Sequence, residues 1–307
     1  MILDSFYLPS LINKQCDTLG MDSLELCMDN KWWRQYPYAV HYSFNERGFR
    51  DKPWPQNVSD TVWCIGDSFT VGLGSPLEHT WPWLLSNRFA SQKVINVSMN
   101  GASNMWIARK VRELVTEVKP KLLVVLWSFI NRRELAWNDK TFEVLNDQLW
   151  CDFYQKICDP SWPQCNTLKE INNLPQHIRL EIATEHYSPF LDQWINSDGS
   201  LRDMPLLDEQ RAQHYTLQYS DSDYENTIEQ IASVENICQQ QSIALIQGFI
   251  PNFSSREYLQ DILNSVQSPC WGMTPKIDLA RDGHHFDKVT AQWIVDQIAK
   301  MVGHAID

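Results

Sequence analysis

The feature that most constrains the fold is a continuous apolar run at 121–127, Lys-Leu-Leu-Val-Val-Leu-Trp. An apolar run without polar alternation is typical of a strand that is buried on both faces of a parallel sheet. Further runs of similar character lie at 61–66, 93–98 and 243–250. A sheet built from such strands needs helices on both of its faces, and the rest of the chain has to supply them.

Helical patterns lie between and after these runs. Periodic apolar positions, capping residues and prolines predict helices that begin near residues 80, 105, 224, 255 and 289. Strands that alternate with helices predict an α/β fold, namely a three-layer α/β/α sandwich with a mainly parallel sheet.

The chain divides into unequal parts. Residues 1–60 are irregular and polar, and we expect them to form a lead-in that packs on a main domain at 61–307. Residues at about 132–222 are acidic and polar, with five prolines and four tryptophans scattered among them. That stretch is too long for a plain connection, so we predict an insertion with structure of its own, such as a lid or cap.

Charge and composition exclude some classes of function. The net charge of −12 argues against nucleic acid or an anionic membrane as a partner, because both need a basic face. No apolar run is long enough to span a membrane, and the N-terminus lacks the basic and apolar regions of a signal peptide. The eight cysteines form no Cys-x-x-Cys pair. We therefore expect free thiols and a cytoplasmic protein.

The run at 61–66 ends abruptly at Gly66-Asp67-Ser68, and small, turn-prone residues follow it. A serine on a tight turn after a buried strand can present its hydroxyl at the edge of the sheet as a nucleophile. Asp-Ser is also ordinary helix-capping chemistry. The turn alone does not decide between these two readings.

Other strand ends supply what a nucleophile needs. In open parallel sheets, ligands bind beyond the carboxyl ends of the strands. Ser68 follows the first strand, Gly101 follows the second and Asn131 follows the third, while Asp282 and His285 lie in the last loop before the C-terminal helix. A hydroxyl, donors for an oxyanion, an imidazole base and a carboxylate to orient it are the groups of acyl-transfer chemistry.

These segments resemble the SGNH (GDSL-type) esterase and lipase family over roughly 61–131 and 240–302. The matching blocks are Gly66-Asp67-Ser68-Phe69-Thr70, Gly101, Asn131 and Asp282-Gly283-His284-His285, and the segment Asn45-Glu46-Arg47-Gly48-Phe49-Arg50 resembles a lead-in found in one branch of the family. The resemblance implies a flavodoxin-like sandwich. It also implies Ser68, His285 and Asp282 as a triad, with Ser68, Gly101 and Asn131 forming the oxyanion hole.

One block departs from the family pattern. The family's third block reads Gly-x-Asn-Asp, whereas this chain has Phe129-Ile130-Asn131-Arg132. The amide donor is kept, but the glycine and the acid are not. The departure puts the geometry of the oxyanion loop in question.

We expect a serine esterase that acts on a small-molecule or glycan O-acyl ester, with acetyl on a carbohydrate favoured by the family and by the 14 tryptophans. Two alternatives remain open. The same residues could transfer the acyl group to a sugar hydroxyl, or the chain could be a carbohydrate-binding protein that has lost its catalytic geometry.

Further side chains near these blocks are candidates for substrate contacts or for structural roles. Arg132 could bind an anionic substrate group and His284 could line the rim, while Asp-x-x-His spacing favours His285 over His284 as the base. Asp67 reads as a turn residue, and His79 has no evident partner. Adjacent histidines diverge, so no metal site is expected, and no cofactor motif for dinucleotides or phosphate is present.

Overall fold

A computed structural model describes residues 8, 11–19, 22, 31–58, 60–89, 93–130, 132–137, 140–146, 221–251 and 256–305. Most of the insertion predicted at about 132–222, and its reading as a lid or cap, therefore lies outside the described residues. Asn131 lies outside them as well.

The described helices and strands alternate through most of the chain, with a short 3-10 turn at Leu77–His79. In chain order they are β1 (Gln15–Cys16), α1 (Lys31–Gln35), β2 (Tyr42–Ser43), β3 (Thr61–Ile65), α2 (Ser68–Val71), α3 (Trp81–Arg88), β4 (Lys93–Asn96), α4 (Asn104–Glu117), β5 (Leu122–Trp127), β6 (Arg132–Trp137), β7 (Lys140–Asn146), α5 (Asp221–Gln240), β8 (Ala244–Phe249), α6 (Arg256–Ser265), β9 (Cys270–Met273) and α7 (Lys288–Ala305). None of the described helices combines the length and apolar character needed to cross a membrane.

The main sheet has five strands in the order β4-β3-β5-β8-β9, and every neighbouring pair is parallel. Numbered along the chain within this sheet, the order is 2-1-3-4-5, the flavodoxin-like arrangement. Helix α3 packs on α7, and α4 packs on α5, so helices lie in two layers. The predicted α/β/α sandwich with a parallel sheet is confirmed.

The strand β9 was not predicted, because residues 267–288 read as an irregular loop. This strand is short and only partly buried, and its pairing with β8 is interrupted by a register shift. A short edge strand with a bulge carries neither a continuous apolar run nor a period of two, which are the two signals that identify strands in a sequence.

The core is centred on β3 and β5, in which every residue is buried. Four tryptophans, Trp63, Trp81, Trp106 and Trp127, are among the largest fully buried side chains. Core packing therefore accounts for these members of the tryptophan-rich composition. The four described cysteines (Cys16, Cys64, Cys238 and Cys270) are free thiols, as predicted.

Described parts of the first sixty residues contact the loops at the carboxyl edge of the sheet. Arg50 is fully buried and donates hydrogen bonds to the carbonyls of Val71 (3.1 Å), Gly72 (2.5 Å) and Ser75 (2.7 Å). Its neighbour Asp51 accepts a hydrogen bond of 2.8 Å from the Asn96 backbone N–H at the end of the edge strand β4. The division of the chain at residue 60 stays a prediction.

Replacing Arg50 with methionine is expected to lower the melting temperature by about 5–10 °C. The change leaves several buried carbonyls without their donor, at a cost of about 1–3 kcal/mol of unfolding free energy for each unsatisfied group. Differential scanning calorimetry measures the change. Arg88→Met, at an exposed position on α3, is the matched control. Equal melting temperatures for the two variants would contradict the bracing role of Arg50.

Candidate active site

The nucleophile turn begins where β3 ends. Gly66 passes so close to the neighbouring strand that a Cβ atom there would lie 2.9 Å from the Leu126 carbonyl oxygen. Asp67 then caps the short helix α2, because its Oδ1 accepts a hydrogen bond of 3.0 Å from the Phe69 N–H. Ser68 is therefore the first residue of a helix that starts at the carboxyl edge of the sheet. The sequence reading of Asp67 as a turn residue agrees with this geometry.

The structure brings Ser68, His285 and Asp282 together. Nε2 of His285 lies 2.8 Å from Oγ of Ser68, and Nδ1 of the same ring lies 2.5 Å from Oδ2 of Asp282. A ring nitrogen that faces a carboxylate carries the proton, so Nε2 is left to accept the proton of the serine hydroxyl. All three side chains are buried, with exposed fractions of 2%, 3% and 7% for Ser68, His285 and Asp282.

Asp282 is a carboxylate in this setting. Burial acts to raise its pKa, but the charge and hydrogen bonds of His285, together with the N–H of His284, outweigh burial and hold the pKa below its usual range. Oδ1 accepts the backbone N–H groups of both His284 and His285 at 2.9 Å. One carboxylate thus orients the imidazole and also stabilises the turn that carries it.

An aromatic cluster covers the imidazole of His285. The ring of Phe69, the residue after the nucleophile, lies 4.5 Å from that of His285 and 5.3 Å from that of Phe286, measured between centroids. Phe129 lies 6.3 Å from Phe69. Apolar rings around a serine–histidine pair keep water away from the imidazole and strengthen its hydrogen bonds.

A buried carboxylate, Asp22, fixes the N-terminal end of the loop that carries Asp282 and His285. Arg281 donates to both oxygens of Asp22, through Nε at 2.8 Å and Nη2 at 2.7 Å. Asp22 also accepts the hydroxyl of Tyr42 at 2.6 Å and the indole N–H of Trp33 at 2.9 Å. Asp22 could not be predicted as a site residue, because nothing in a single sequence links it to Arg281, 259 positions away.

A second buried carboxylate, Asp287, lies two residues after His285 and fixes the C-terminal end of the same loop. It accepts hydrogen bonds from the hydroxyls of Tyr36 at 2.6 Å and Ser75 at 2.9 Å, and it lies 2.9 Å from Nδ1 of His79. His79, for which the sequence shows no partner, is therefore paired in the structure. Its partner is 208 residues away, so local spacing could not reveal it.

His284 lies beside the triad but makes neither of its side-chain bonds. Its ring centroid is 5.0 Å from that of His285. Burial, and then the nearby charge of His285, lower the pKa of His284 to about 4. The imidazole is therefore neutral at neutral pH, and its predicted role at the substrate rim would be that of a hydrogen-bonding group rather than a cation.

Two of the three predicted oxyanion donors, the backbone N–H groups of Ser68 and Gly101, belong to described residues. Gly101 has a φ of +79°, which favours glycine, and open space occupies the position where a Cβ would be. Neither the Ser68 nor the Gly101 backbone N–H donates a hydrogen bond to another described residue. The third predicted donor, Asn131, lies outside the described residues, so its role stays a prediction.

Arg132 is buried next to the nucleophile turn. Its Nη1 lies 2.7 Å from Oδ2 of Asp67 and 2.9 Å from Oγ of Ser128. From the sequence, this guanidinium was a candidate to bind an anionic substrate group. In the structure its charge is engaged with Asp67 instead. Within the described ranges, no group of three or more histidine, cysteine or acidic side chains could hold a metal ion.

Comparisons with known proteins returned solved structures only. No protein-family model and no curated protein matches the chain. Similar structures include TesA, with 11% identity, a TM-score of 0.41 and coverage of 79% of this chain and 97% of that one. The psychrotrophic esterase EstA from Pseudoalteromonas sp. has 11% identity and a TM-score of 0.40, with coverage of 80% and 97%. A GDSL-like lipase from Bacteroides thetaiotaomicron has 11% identity and a TM-score of 0.37, with coverage of 80% and 89%. At such values the function has to be inferred from the side chains of this chain.

The neutral His284 predicts an acid-sensitive contribution to stability. Its folded-state pKa of about 4 is below the ordinary histidine value of about 6.5, so the unfolded chain binds more protons between these pH values. The contribution is complete above pH ~6.5 and is lost as the pH falls towards ~4. His284→Gln should make the fall in melting temperature over that range shallower than in the wild type.

Melting temperatures measured every half pH unit would show the difference. His41→Gln, which alters an exposed imidazole, is the control for the loss of a histidine. A wild-type slope in His284→Gln would contradict the lowered pKa.

Proposed function

We propose that this chain is a serine esterase that hydrolyses O-acyl esters. The observation that carries the proposal is the buried chain of contacts from Asp282 through His285 to Ser68, with 2.5 Å and 2.8 Å separations. A serine, a histidine and a carboxylate in this order form the constellation that activates a hydroxyl for attack on a carbonyl.

In the first half of the reaction, Oγ of Ser68 attacks the ester carbonyl carbon while Nε2 of His285 takes the hydroxyl proton. The carboxylate of Asp282 keeps Nδ1 protonated and stabilises the imidazolium that forms. The imidazolium then gives its proton to the leaving alcohol as the carbon–oxygen bond of the ester breaks. An acyl group on Ser68 and a free alcohol result.

The developing oxyanion is held by the backbone N–H groups of Ser68 and Gly101 and by the amide of Asn131. Support comes from the first two groups, whose N–H donors are not used by other described residues. In the second half of the reaction, His285 takes a proton from water as the water oxygen attacks the acyl carbon. The bond from that carbon to Oγ of Ser68 then breaks, the imidazolium returns its proton to Oγ, and the acid leaves.

We further propose acetyl as the acyl group and a carbohydrate as the alcohol. Support for the carbohydrate comes from an open cavity of about 310 Å³ whose lining includes the aromatic residues Trp32, Tyr36 and Tyr38. Trp32 and Tyr38 are 41% and 49% exposed. Exposed aromatic faces suit the apolar faces of sugar rings. The cavity is also lined by Asp287, two residues after His285.

Ser68→Ala is expected to abolish covalent labelling by a fluorophosphonate and the release of nitrophenol from p-nitrophenyl acetate. The reason is that no other group replaces the nucleophile. Labelling is followed by intact-protein mass spectrometry, with Ser86→Ala, a half-buried serine on α3, as the control. A wild-type protein that resists labelling at neutral pH would favour a binding protein over an esterase.

Asp282→Asn is expected to lower kcat for p-nitrophenyl acetate by about 10³–10⁴-fold, because the amide no longer holds the productive tautomer of His285. Steady-state kinetics measure the loss, and circular dichroism checks that the fold is kept.

Titration of free acetate released from an acetylated glycan tests hydrolysis directly. Consumption of the ester without free acetate would point to acyl transfer.

Tyr38→Ala is expected to raise KM for an acetylated oligosaccharide by about 2–10-fold, the loss of one aromatic contact worth about 0.5–1.5 kcal/mol. KM for p-nitrophenyl acetate should not change, because that substrate has no sugar ring. Equal effects on both substrates, or none on either, would argue against the aromatic cavity as a carbohydrate subsite.

A further inference from the structure

Three loops at the carboxyl edge of the sheet meet at one guanidinium group. Nη1 of Arg132 donates to Oδ2 of Asp67 at 2.7 Å, to Oγ of Ser128 at 2.9 Å and to the Ala102 carbonyl at 3.5 Å. Asp67 follows β3, Ala102 follows β4 and Ser128 follows β5. These are the loops that carry the nucleophile and the predicted oxyanion donors.

Asp67 needs such a partner because it is fully buried. A buried carboxylate is costly unless it is paired and hydrogen-bonded. Its Oδ1 caps α2 through the Phe69 N–H, and its Oδ2 accepts Ser128 Oγ at 2.8 Å in addition to Arg132. The orientation of this carboxylate sets the start of α2 and therefore the direction of the Ser68 side chain.

We propose that Arg132 is a positioning residue for the reaction, which holds Asp67 and thereby aligns the Ser68 turn with the loops after β4 and β5. This role rests on the proposed esterase function. Arg132 touches neither the triad side chains nor, in this proposal, the substrate, and it acts through Asp67 and Ser128.

Two observations favour positioning over substrate binding. The side chain of Arg132 is 9% exposed, and its guanidinium carbon lies 4.9 Å from the centroid of the Phe129 ring. Its charge is already matched by the Asp67 carboxylate. A guanidinium so engaged has little to offer an anionic ligand.

The same contacts give a role to the arginine that stands where the family's third block has an acid. In this chain a cation occupies the position, and it pairs with the carboxylate that caps the nucleophile helix. The altered block therefore supports the catalytic geometry by another route.

Kinetics with p-nitrophenyl acetate test the role. Arg132→Gln should lower kcat by about 10–100-fold and change KM by less than about threefold, because a displaced nucleophile slows the chemical step without removing a substrate contact. Arg132→Lys should keep more of kcat than Arg132→Gln. Arg112→Gln, a half-buried arginine on α4, is the matched control and should retain wild-type kinetics.

A double-mutant cycle measures whether the kcat losses at Asp67 and Arg132 are coupled. A residue that contributes only to folding stability would show no such coupling in the kcat of the folded variants. Asp67→Asn combined with Arg132→Gln removes both charges, so the double variant should lose less kcat than the product of the two single losses. Melting temperatures identify any variant that fails to fold. If Arg132→Gln is one of them, the same cycle is run with Arg132→Lys and Asp67→Asn, and the kcat of Arg132→Lys carries the first test.

The outcomes separate this role from the proposed function. A raised KM with unchanged kcat would overturn positioning and make Arg132 a substrate contact. Wild-type kinetics in folded Arg132 variants, or losses that multiply in the double variant, would also overturn it. A wild-type protein that neither hydrolyses the ester nor reacts with a fluorophosphonate would overturn the esterase function, and the role of Arg132 with it.

Discussion

Ser68 and His285 are 217 residues apart in the chain, yet their side chains must meet at 2.8 Å. The constraint is met by fixing both sides of the contact with buried carboxylates outside the triad. On the serine side Asp67 caps α2. On the histidine side Asp22 and Asp287 hold the ends of the loop that carries Asp282 and His285. Because each of these carboxylates accepts several hydrogen bonds, the fold itself sets the positions of the Ser68 and His285 side chains.

These carboxylates are used in two different ways. Asp22 and Asp67 have arginine partners, so their charges are balanced within the fold. Asp287 is surrounded by the neutral donors Tyr36 and Ser75 and by His79. Burial and the neighbouring Asp287 raise the pKa of Tyr36, which keeps its hydroxyl protonated as a donor. The acidic character of the chain thus extends into its interior, where Asp22, Asp67 and Asp287 each stabilise a loop or a turn.

Much of the fold could be predicted because its central strands are continuous apolar runs in the sequence. The runs at 61–66 and 121–127 became β3 and β5, and the order of the sheet then placed Ser68 at its carboxyl edge. The contact between Asp282 and His285 could also be predicted, since the two residues are only three positions apart. What could not be predicted were contacts between distant polar residues. Asp22 with Arg281, His79 with Asp287, and Arg132 with Asp67 have no periodicity, and a single sequence carries no signal that joins them.

The separation of Ser68 and His285 along the chain has a consequence for the order in which their contact forms. A polypeptide is synthesised from its N-terminus, so Ser68 leaves the ribosome before His285 has been added. Until the loop of Asp282 and His285 packs against Asp22 and Asp287, the Ser68 hydroxyl lacks the imidazole that accepts its proton in the folded chain. A chain in which this loop has not packed carries an ordinary alcohol at position 68.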